Sequence, residues 1–247
     1  AAWFRSGFRD VLEPRHAYEL APTLMHLHEF GLGLTLREEL SFGSVLVFDE
    51  EAESARAHEA AERTLDVQYY IWHADLSGML LFDALLQAAE RGVRVRLLLD
   101  DINASGKDSI YLALDAHPAI SVRLFNPSRA RDGGLQRGLE MVLRALSVTR
   151  RMHNKAWIAD GRLAIVGGRN IGDEYFDAAE TSNFRDIDML MMGPLVQQTE
   201  AIFDSFWNSD VSMPISALAK AREGGLETLQ AGLSQLPRTD EAAPYVE

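Results

Sequence analysis

Residues 153–170, His-Asn-Lys-Ala-Trp-Ile-Ala-Asp-Gly-Arg-Leu-Ala-Ile-Val-Gly-Gly-Arg-Asn, constrain the fold of this chain more than any other stretch. Asp160-Gly161 is a strong two-residue hairpin turn. Its flanks, Ala156 to Ala159 and Arg162 to Val166, are apolar and β-branched enough to read as strands. Counting back from the turn pairs Ala159 with Arg162, Lys155 with Val166 and His153 with Gly168. Residues two apart share a strand face, so His153, Lys155, Gly168 and Asn170 are expected together near the open end of the hairpin. The set combines a nucleophile or base, a fixed cation, bare backbone and an amide donor. It suits an anionic tetrahedral group such as a phosphoryl centre.

The same stretch resembles the phospholipase D superfamily. That family's motif is His-x-Lys, four residues, Asp, six residues, Gly-Ser or Gly-Gly, one residue, Asn. Here His153, Lys155, Asp160, Gly167-Gly168 and Asn170 fill it. The resemblance extends to Asp66–Trp72, Arg91–Asp101 and Asn170–Phe176, covers roughly residues 44 to 210, and is most similar to the bacterial cardiolipin synthase branch.

The resemblance implies that a histidine attacks phosphorus to form a phosphohistidine. A second histidine, from a second motif, protonates the leaving alcohol. Splitting the displacement in two lets water or another alcohol finish it. Lys155 then offers positive charge where phosphate charge develops, and Asn170 an amide N–H. Gly168 stands where many relatives have Ser or Thr, which removes a hydroxyl but permits close approach. A carboxylate after the motif that holds the second nitrogen of the catalytic histidine is expected at Asp186, with Asp188 as the alternative. Asp160 is explained by its turn and is expected to be structural. The scheme requires no cofactor and no metal.

Composition limits the alternatives. Hydrophobic content of 47% suits a globular core, and the net charge of −13 makes a poor partner for a polyanion such as nucleic acid. The absence of cysteine excludes disulfides and thiolate catalysis. No apolar run approaches the length of a membrane span, and no signal peptide is visible. Ala1 in place of Met fits a processed chain or an excised piece. Membrane contact is expected to be peripheral.

From Ser44 onward strands and helices alternate. Strands are expected at Val45–Phe48, Val67–Trp72, Val93–Leu99, Ile120–Phe125 and Ile187–Met192. Helices are expected over 50–64, Gly78–Arg91, Lys107–His117, a face traced by Leu135, Leu139, Val142, Leu143 and Leu146, and Leu195–Asn208. This implies an α/β fold, a mixed β-sheet flanked by helices on both faces, phospholipase D-like and amounting to one catalytic half. The expected organisation is an N-terminal extension over 1–43, the catalytic half-domain over 44–210, and a C-terminal helix and linker over 211–247 towards a missing second half.

Other chemistry-bearing residues have simpler readings. His26, His28 and Glu29 resemble a metal pair only weakly and are read as structural. Asp100 and Asp101 end a strand and point to opposite faces, which favours capping and turn formation over a metal. His73 follows a strand and is not counted in the site. The basic stretch from Ser128 to Arg151 contains an amphipathic helix that either lies on an anionic bilayer or packs as an ordinary surface helix.

The expected activity is phosphatidyl transfer between lipid alcohols at the bacterial cell membrane, with a phospholipid substrate. A second motif-bearing half, in cis or in a homodimer, should complete the site, and nucleic acid is not the favoured partner. The rivals are a homodimeric single-motif phosphodiesterase or nuclease, and a non-enzymatic half that binds phospholipid.

Overall fold

The computed structural model describes residues 45–48, 61–104, 106–128, 151–176, 178–179, 181–239 and 242. The N-terminal extension over 1–43, most of the helix expected over 50–64, the amphipathic helix at 135–146 and the His26, His28, Glu29 group lie outside the described residues.

Among the described residues eight strands form one sheet: β1 (Val45–Phe48), β2 (Thr64–Tyr69), β3 (Arg94–Asp100), β4 (Ile120–Phe125), β5 (Ala156–Ala159), β6 (Leu163–Gly167), β7 (Asp188–Met192) and β8 (Ser212–Pro214). Their spatial order is β1-β7-β6-β5-β2-β3-β4-β8. Strands β2, β3 and β4 run parallel, and every other pairing is antiparallel. The described helices are α1 (Leu76–Glu90), α2 (Asp108–Asp115), α3 (Pro194–Trp207) and α4 (Gly225–Leu233).

The alternation of side chains along the strands feeds two cores, one on each face of the sheet. On one face Val67, Leu97, Trp157, Ile165 and Leu190 pack with Phe82 and Leu85 of α1, Tyr111 of α2 and Leu233 of α4. On the other, Leu98, Ile158, Ala164 and Met191 pack with Phe203 and Trp207 of α3. The expected mixed sheet with helices on both faces is therefore present. Burying both faces also explains why β6 reads as an almost unbroken apolar run, Leu-Ala-Ile-Val-Gly, whereas β2 and β3 carry Asp66, Gln68 and Arg96 among their apolar residues.

One charged group anchors α3. Asp66 of β2 is only 1% exposed and takes two hydrogen bonds of 2.6 Å from Arg96 of β3. The same guanidinium donates to Asp204 of α3 at 2.7 Å and lies over the Phe203 ring. Burial opposes the charge on Arg96, but Asp66 and Asp204 outweigh it and raise the pKa above its ordinary value.

Two differences from the sequence reading matter. The hairpin register is offset by one residue: Ala159 pairs with Leu163 and Ala156 with Val166. Asp160 and Gly161 both take positive φ, and the Arg162 N–H closes the turn on the Ala159 carbonyl at 2.9 Å. Arg162 is thus an extra residue between turn and ladder, and the expected pairings of His153 with Gly168 and Lys155 with Val166 do not form; the Gly167 N–H instead reaches the Lys155 carbonyl at 3.4 Å. The second difference lies beyond residue 210, where the sheet gains β8 on β4, and α4 packs against α1 and α2.

Candidate active site

The sheet topology determines where the motif ends up. Antiparallel pairing of β5 with β2, with Ala156 opposite Gln68, brings the N-terminal approach to β5 alongside the C-terminal end of β2. Beyond β6 the chain turns to run beside the same end of β2. Trp72 and Ile171 form a parallel bridge, the Ile171 N–H bonds the Ile71 carbonyl at 3.1 Å, and the His73 N–H bonds the Ile171 carbonyl at 2.8 Å. His153, Lys155 and Asn170 are therefore delivered to the sheet end where β2 finishes, ~80 or more residues earlier in the chain.

The approach to His153 is tied down by Asp100, at the C-terminal end of β3. Its carboxylate takes hydrogen bonds from the Met152 N–H at 2.9 Å, the Ile102 N–H at 2.9 Å and the Arg151 guanidinium at 3.3 Å. Burial raises the Asp100 pKa above its ordinary value despite these donors and the Arg151 charge. Asp101 takes the Ser128 N–H at 2.9 Å. Both carboxylates hold backbone, and the tie from Asp100 to Met152 is a long-range contact that sequence spacing does not reveal.

His153 is exposed, whereas Lys155 is 5% exposed. The ammonium lies 2.9 Å from His153 Nδ1 and donates to the His153 carbonyl at 2.9 Å. Burial pushes the Lys155 pKa below its ordinary value, while the charges of Asp186 and Asp188 pull it back. Tyr70, which the sequence reading left out, forms a wall of this site. Its ring is 4.6 Å from the imidazole, centroid to centroid, and 5.5 Å from the ammonium. The signal was the aromatic end of β2, but only the sheet pairing shows which of the tyrosines meets His153.

Asn170 is buried and held from both ends. Its carbonyl accepts the Ile71 N–H at 3.1 Å, and its Nδ2 donates to the Tyr175 hydroxyl at 3.1 Å. Tyr175 is a second residue the sequence reading missed.

Gly167 and Gly168 allow close approach of the start of β7 and the residues just before it. A Cβ on Gly167 would fall 1.9 Å from Asp188 Oδ1, and one on Gly168 would fall 2.6 Å from Asp186 Oδ1. Asp188 is engaged by Arg169, whose Nε donates at 2.8 Å. Asp186 therefore lies against Gly168 and within the electrostatic reach of Lys155, whereas the ring of His153 meets Lys155. Asp160 sits at the opposite end of the hairpin. Its carboxylate accepts the N–H groups of Glu62, Arg63 and Thr64 at 2.9, 2.8 and 2.8 Å, clamping the start of β2. Burial works against its charge, but those N–H groups and Arg63 hold its pKa below the usual carboxylate range.

Among the described residues one group has the composition to hold a metal ion: His73, Asp75 and Glu174. It lies outside the His153 cluster. No helix among the described residues is long and apolar enough to cross a membrane.

Residues 56–207 match the family described as "Cardiolipin synthase, PLD-like domain". The chain is 49% identical over 176 residues to cardiolipin synthase C of Escherichia coli (strain K12), an alignment covering 71% of this chain and 37% of that protein. It is 30% identical over 218 residues to cardiolipin synthase 1 of Bacillus cereus, covering 82% of this chain and 40% of that protein. The chain thus spans well under half the length of these curated relatives. Among solved structures, NucT from Helicobacter pylori aligns with a TM-score of 0.51 at 15% identity, covering 70% of this chain and 99% of that one. Phosphatidylserine synthase from Haemophilus influenzae Rd KW20 aligns with a TM-score of 0.50 at 13% identity, covering 96% of this chain and 56% of that one. These two likenesses concern the fold alone. With the motif at one sheet end, the sheet order and the family match in agreement, the chain belongs to the phospholipase D-like domain family of the cardiolipin synthases.

Proposed function

We propose that this chain is one catalytic half of a phosphatidyltransferase of the cardiolipin synthase type, working at the surface of a bacterial membrane. A nitrogen of the His153 imidazole attacks the phosphodiester phosphorus. The bond from phosphorus to the leaving alcohol breaks, and that alcohol takes a proton from the histidine of a second motif. An acceptor alcohol, deprotonated by the same second histidine, then attacks the phosphohistidine and breaks the P–N bond. The result is transfer, or hydrolysis when water is the acceptor. Lys155 and Asn170 stabilise the charge that builds on the non-bridging oxygens. Asp186 shapes the field around Lys155.

The observation that carries this reading is the pairing of exposed His153 with buried Lys155, 2.9 Å apart, at the same sheet end as an Asn170 fixed by Ile71 and Tyr175. That arrangement supports roles for Lys155 and Asn170 in binding a histidine-bound phosphoryl group. The partner half is expected in cis, in the sequence that the longer relatives carry, with a second copy of this chain as the alternative.

The test uses the protein joined to its second motif-bearing half, with labelled phosphatidylglycerol and, separately, DNA. Transfer of the labelled phosphatidyl group to a lipid alcohol, with an acid-labile phosphoryl label on wild type that is missing from His153→Ala, is the expected result. Loss of a catalytic acid–base group costs roughly 10²- to 10⁴-fold, and loss of the nucleophile at least as much. Turnover of DNA with lipid untouched, or near-normal turnover by a folded His153→Ala, would overturn the reading.

A further inference from the structure

His73, Asp75 and Glu174 lie together although two of them follow β2 and the third follows the motif. His73 Nδ1 is 3.3 Å from Glu174 Oε1 and 3.8 Å from Asp75 Oδ2. One ligand atom from each of the three lies within 4.8 Å of the others. Bonds of roughly 2.1 Å separate two ligands by at most about 4.2 Å, and the distances from His73 to Glu174 and to Asp75 already fall within that limit.

The backbone around the group is rigidly set. Asp75 caps α1 through Oδ1 to the Gly78 N–H at 3.1 Å, and its Oδ2 accepts the Asp173 N–H at 2.8 Å, leaving that oxygen a second lone pair. The His73 N–H is bonded to the Ile171 carbonyl. Gly78 packs so closely under the His73 carbonyl that a Cβ there would lie 1.9 Å from the oxygen.

A second observation points to an occupant. Gly172 has φ 169 and ψ 152, extended backbone that any residue adopts. Its lack of a side chain is therefore not a conformational requirement. A Cβ at Gly172 would sit 2.9 Å from both Glu174 Oε2 and His73 Nδ1. Glycine keeps open the space between the imidazole and the carboxylate. The local charge also suits a cation. Lys107 feels the charge of Asp75, but its ammonium is already committed to the Trp72 carbonyl at 2.6 Å and the Asn103 carbonyl at 2.8 Å.

We propose that His73, Asp75 and Glu174 form a binding site for a first-row divalent cation such as Zn²⁺ or Mn²⁺. One imidazole with two carboxylates suits these ions, whereas Mg²⁺ and Ca²⁺ favour all-oxygen sets. The ion takes no part in phosphoryl transfer. It staples the segment after β2, which carries Tyr70, to the segment after β6, which carries Asn170 and Tyr175. The proposal stands independently of the phosphatidyl-transfer reading, because metal binding is measured without substrate.

The test titrates the chelator-stripped 247-residue chain with Zn²⁺ and with Mn²⁺ by calorimetry, with thermal denaturation in parallel. Wild type should bind one equivalent with a rise in Tm. Glu174→Gln and His73→Ala should each weaken that binding at least about tenfold, since even outer-shell changes cost 10- to 100-fold. The double variant His26→Ala/His28→Ala should bind as wild type does. Gly172→Ala, which fills the space but removes no ligand, should also weaken binding. Circular dichroism checks that each variant is folded, and Glu174→Gln, nearly isosteric, serves where His73→Ala is not. Absence of a bound equivalent in wild type, or unchanged affinity in folded Glu174→Gln, would overturn the proposal and leave His73 and Glu174 as a simple ion pair.

Discussion

Asp160→Ala should destabilise the domain by about 3 kcal/mol while leaving the His153 face intact. The Asp160 carboxylate accepts three backbone N–H groups, of which those of Glu62 and Arg63 are exposed and that of Thr64 is partly buried. Exposed hydrogen bonds of this kind contribute about 0.5–1 kcal/mol each and the partly buried one somewhat more. The residue also holds φ 54, a left-handed conformation that costs alanine about 1 kcal/mol and aspartate or asparagine less. In a domain of this size the loss corresponds to a Tm lower by about 6–12 °C. Asp160→Asn keeps the turn and one acceptor oxygen, and should lose about half as much. The pH dependence has a definite sign. Folding holds the Asp160 pKa below its ordinary 3.8. Its stabilisation is therefore complete above the unfolded value and is lost as pH falls through the depressed folded value. The Tm gap between wild type and Asp160→Asn should be widest at neutral pH and close in acid. Thermal scans from pH 7 to pH 2.5, with turnover measured in the assembly containing the second half, check both points. A Tm gap independent of pH, or lost turnover at unchanged Tm, would refute a purely structural Asp160.

Gly167→Ala should be destabilising by about 1–3 kcal/mol in denaturant titrations, because the new Cβ meets Asp188 Oδ1 at 1.9 Å and the Ile187 carbonyl at 2.6 Å. Arg96→Met should cost about 3–5 kcal/mol by leaving Asp66 buried and unpaired, and the double variant Arg96→Met/Asp66→Leu should recover much of that loss. The 247-residue chain alone, kept monomeric, should show negligible phospholipid turnover that rises when the second half is added; full turnover by a strict monomer would show that one motif suffices.

The architecture was readable because strand and helix signals were strong where burial is strong. Ile120–Phe125 was found to the residue, and α1 and α3 within two residues, as Asp75, Gly92 and Pro194 mark their ends. Register was not readable. Leu163, Ala164 and Ile165 are all buried, alternately against the two cores, so no polar alternation fixed which residue faces which strand. The turn itself was identified, but the extra Arg162 was not. In the site, fixed motif spacing gave His153, Lys155 and Asn170. Tyr70 and Asp100 depend on contacts across the sheet end, between segments separated by tens of residues, which no local pattern encodes, and Tyr175 meets Asn170 through an irregular segment whose path has no periodic signal. His73 was set aside for the same reason: Glu174 reaches it only after the chain has crossed the sheet.

The strand order also bears on how the chain is made. Edge strand β1 is synthesised early, yet its partner is β7, with Val45 opposite Met191. At 5–20 residues per second a ribosome needs roughly 7–30 s to cover that interval. Throughout it, Val45 to Phe48 is an unpaired apolar strand, the kind of edge that templates aggregation. The parallel β2-β3-β4 unit, by contrast, is complete by residue 125 and can collapse around α1 and α2 while translation continues. Folding should therefore proceed outward from that unit, with the hairpin that carries His153 added next and β1 locked in last. Slowing synthesis between β4 and β7 would lengthen the vulnerable period without altering the final structure.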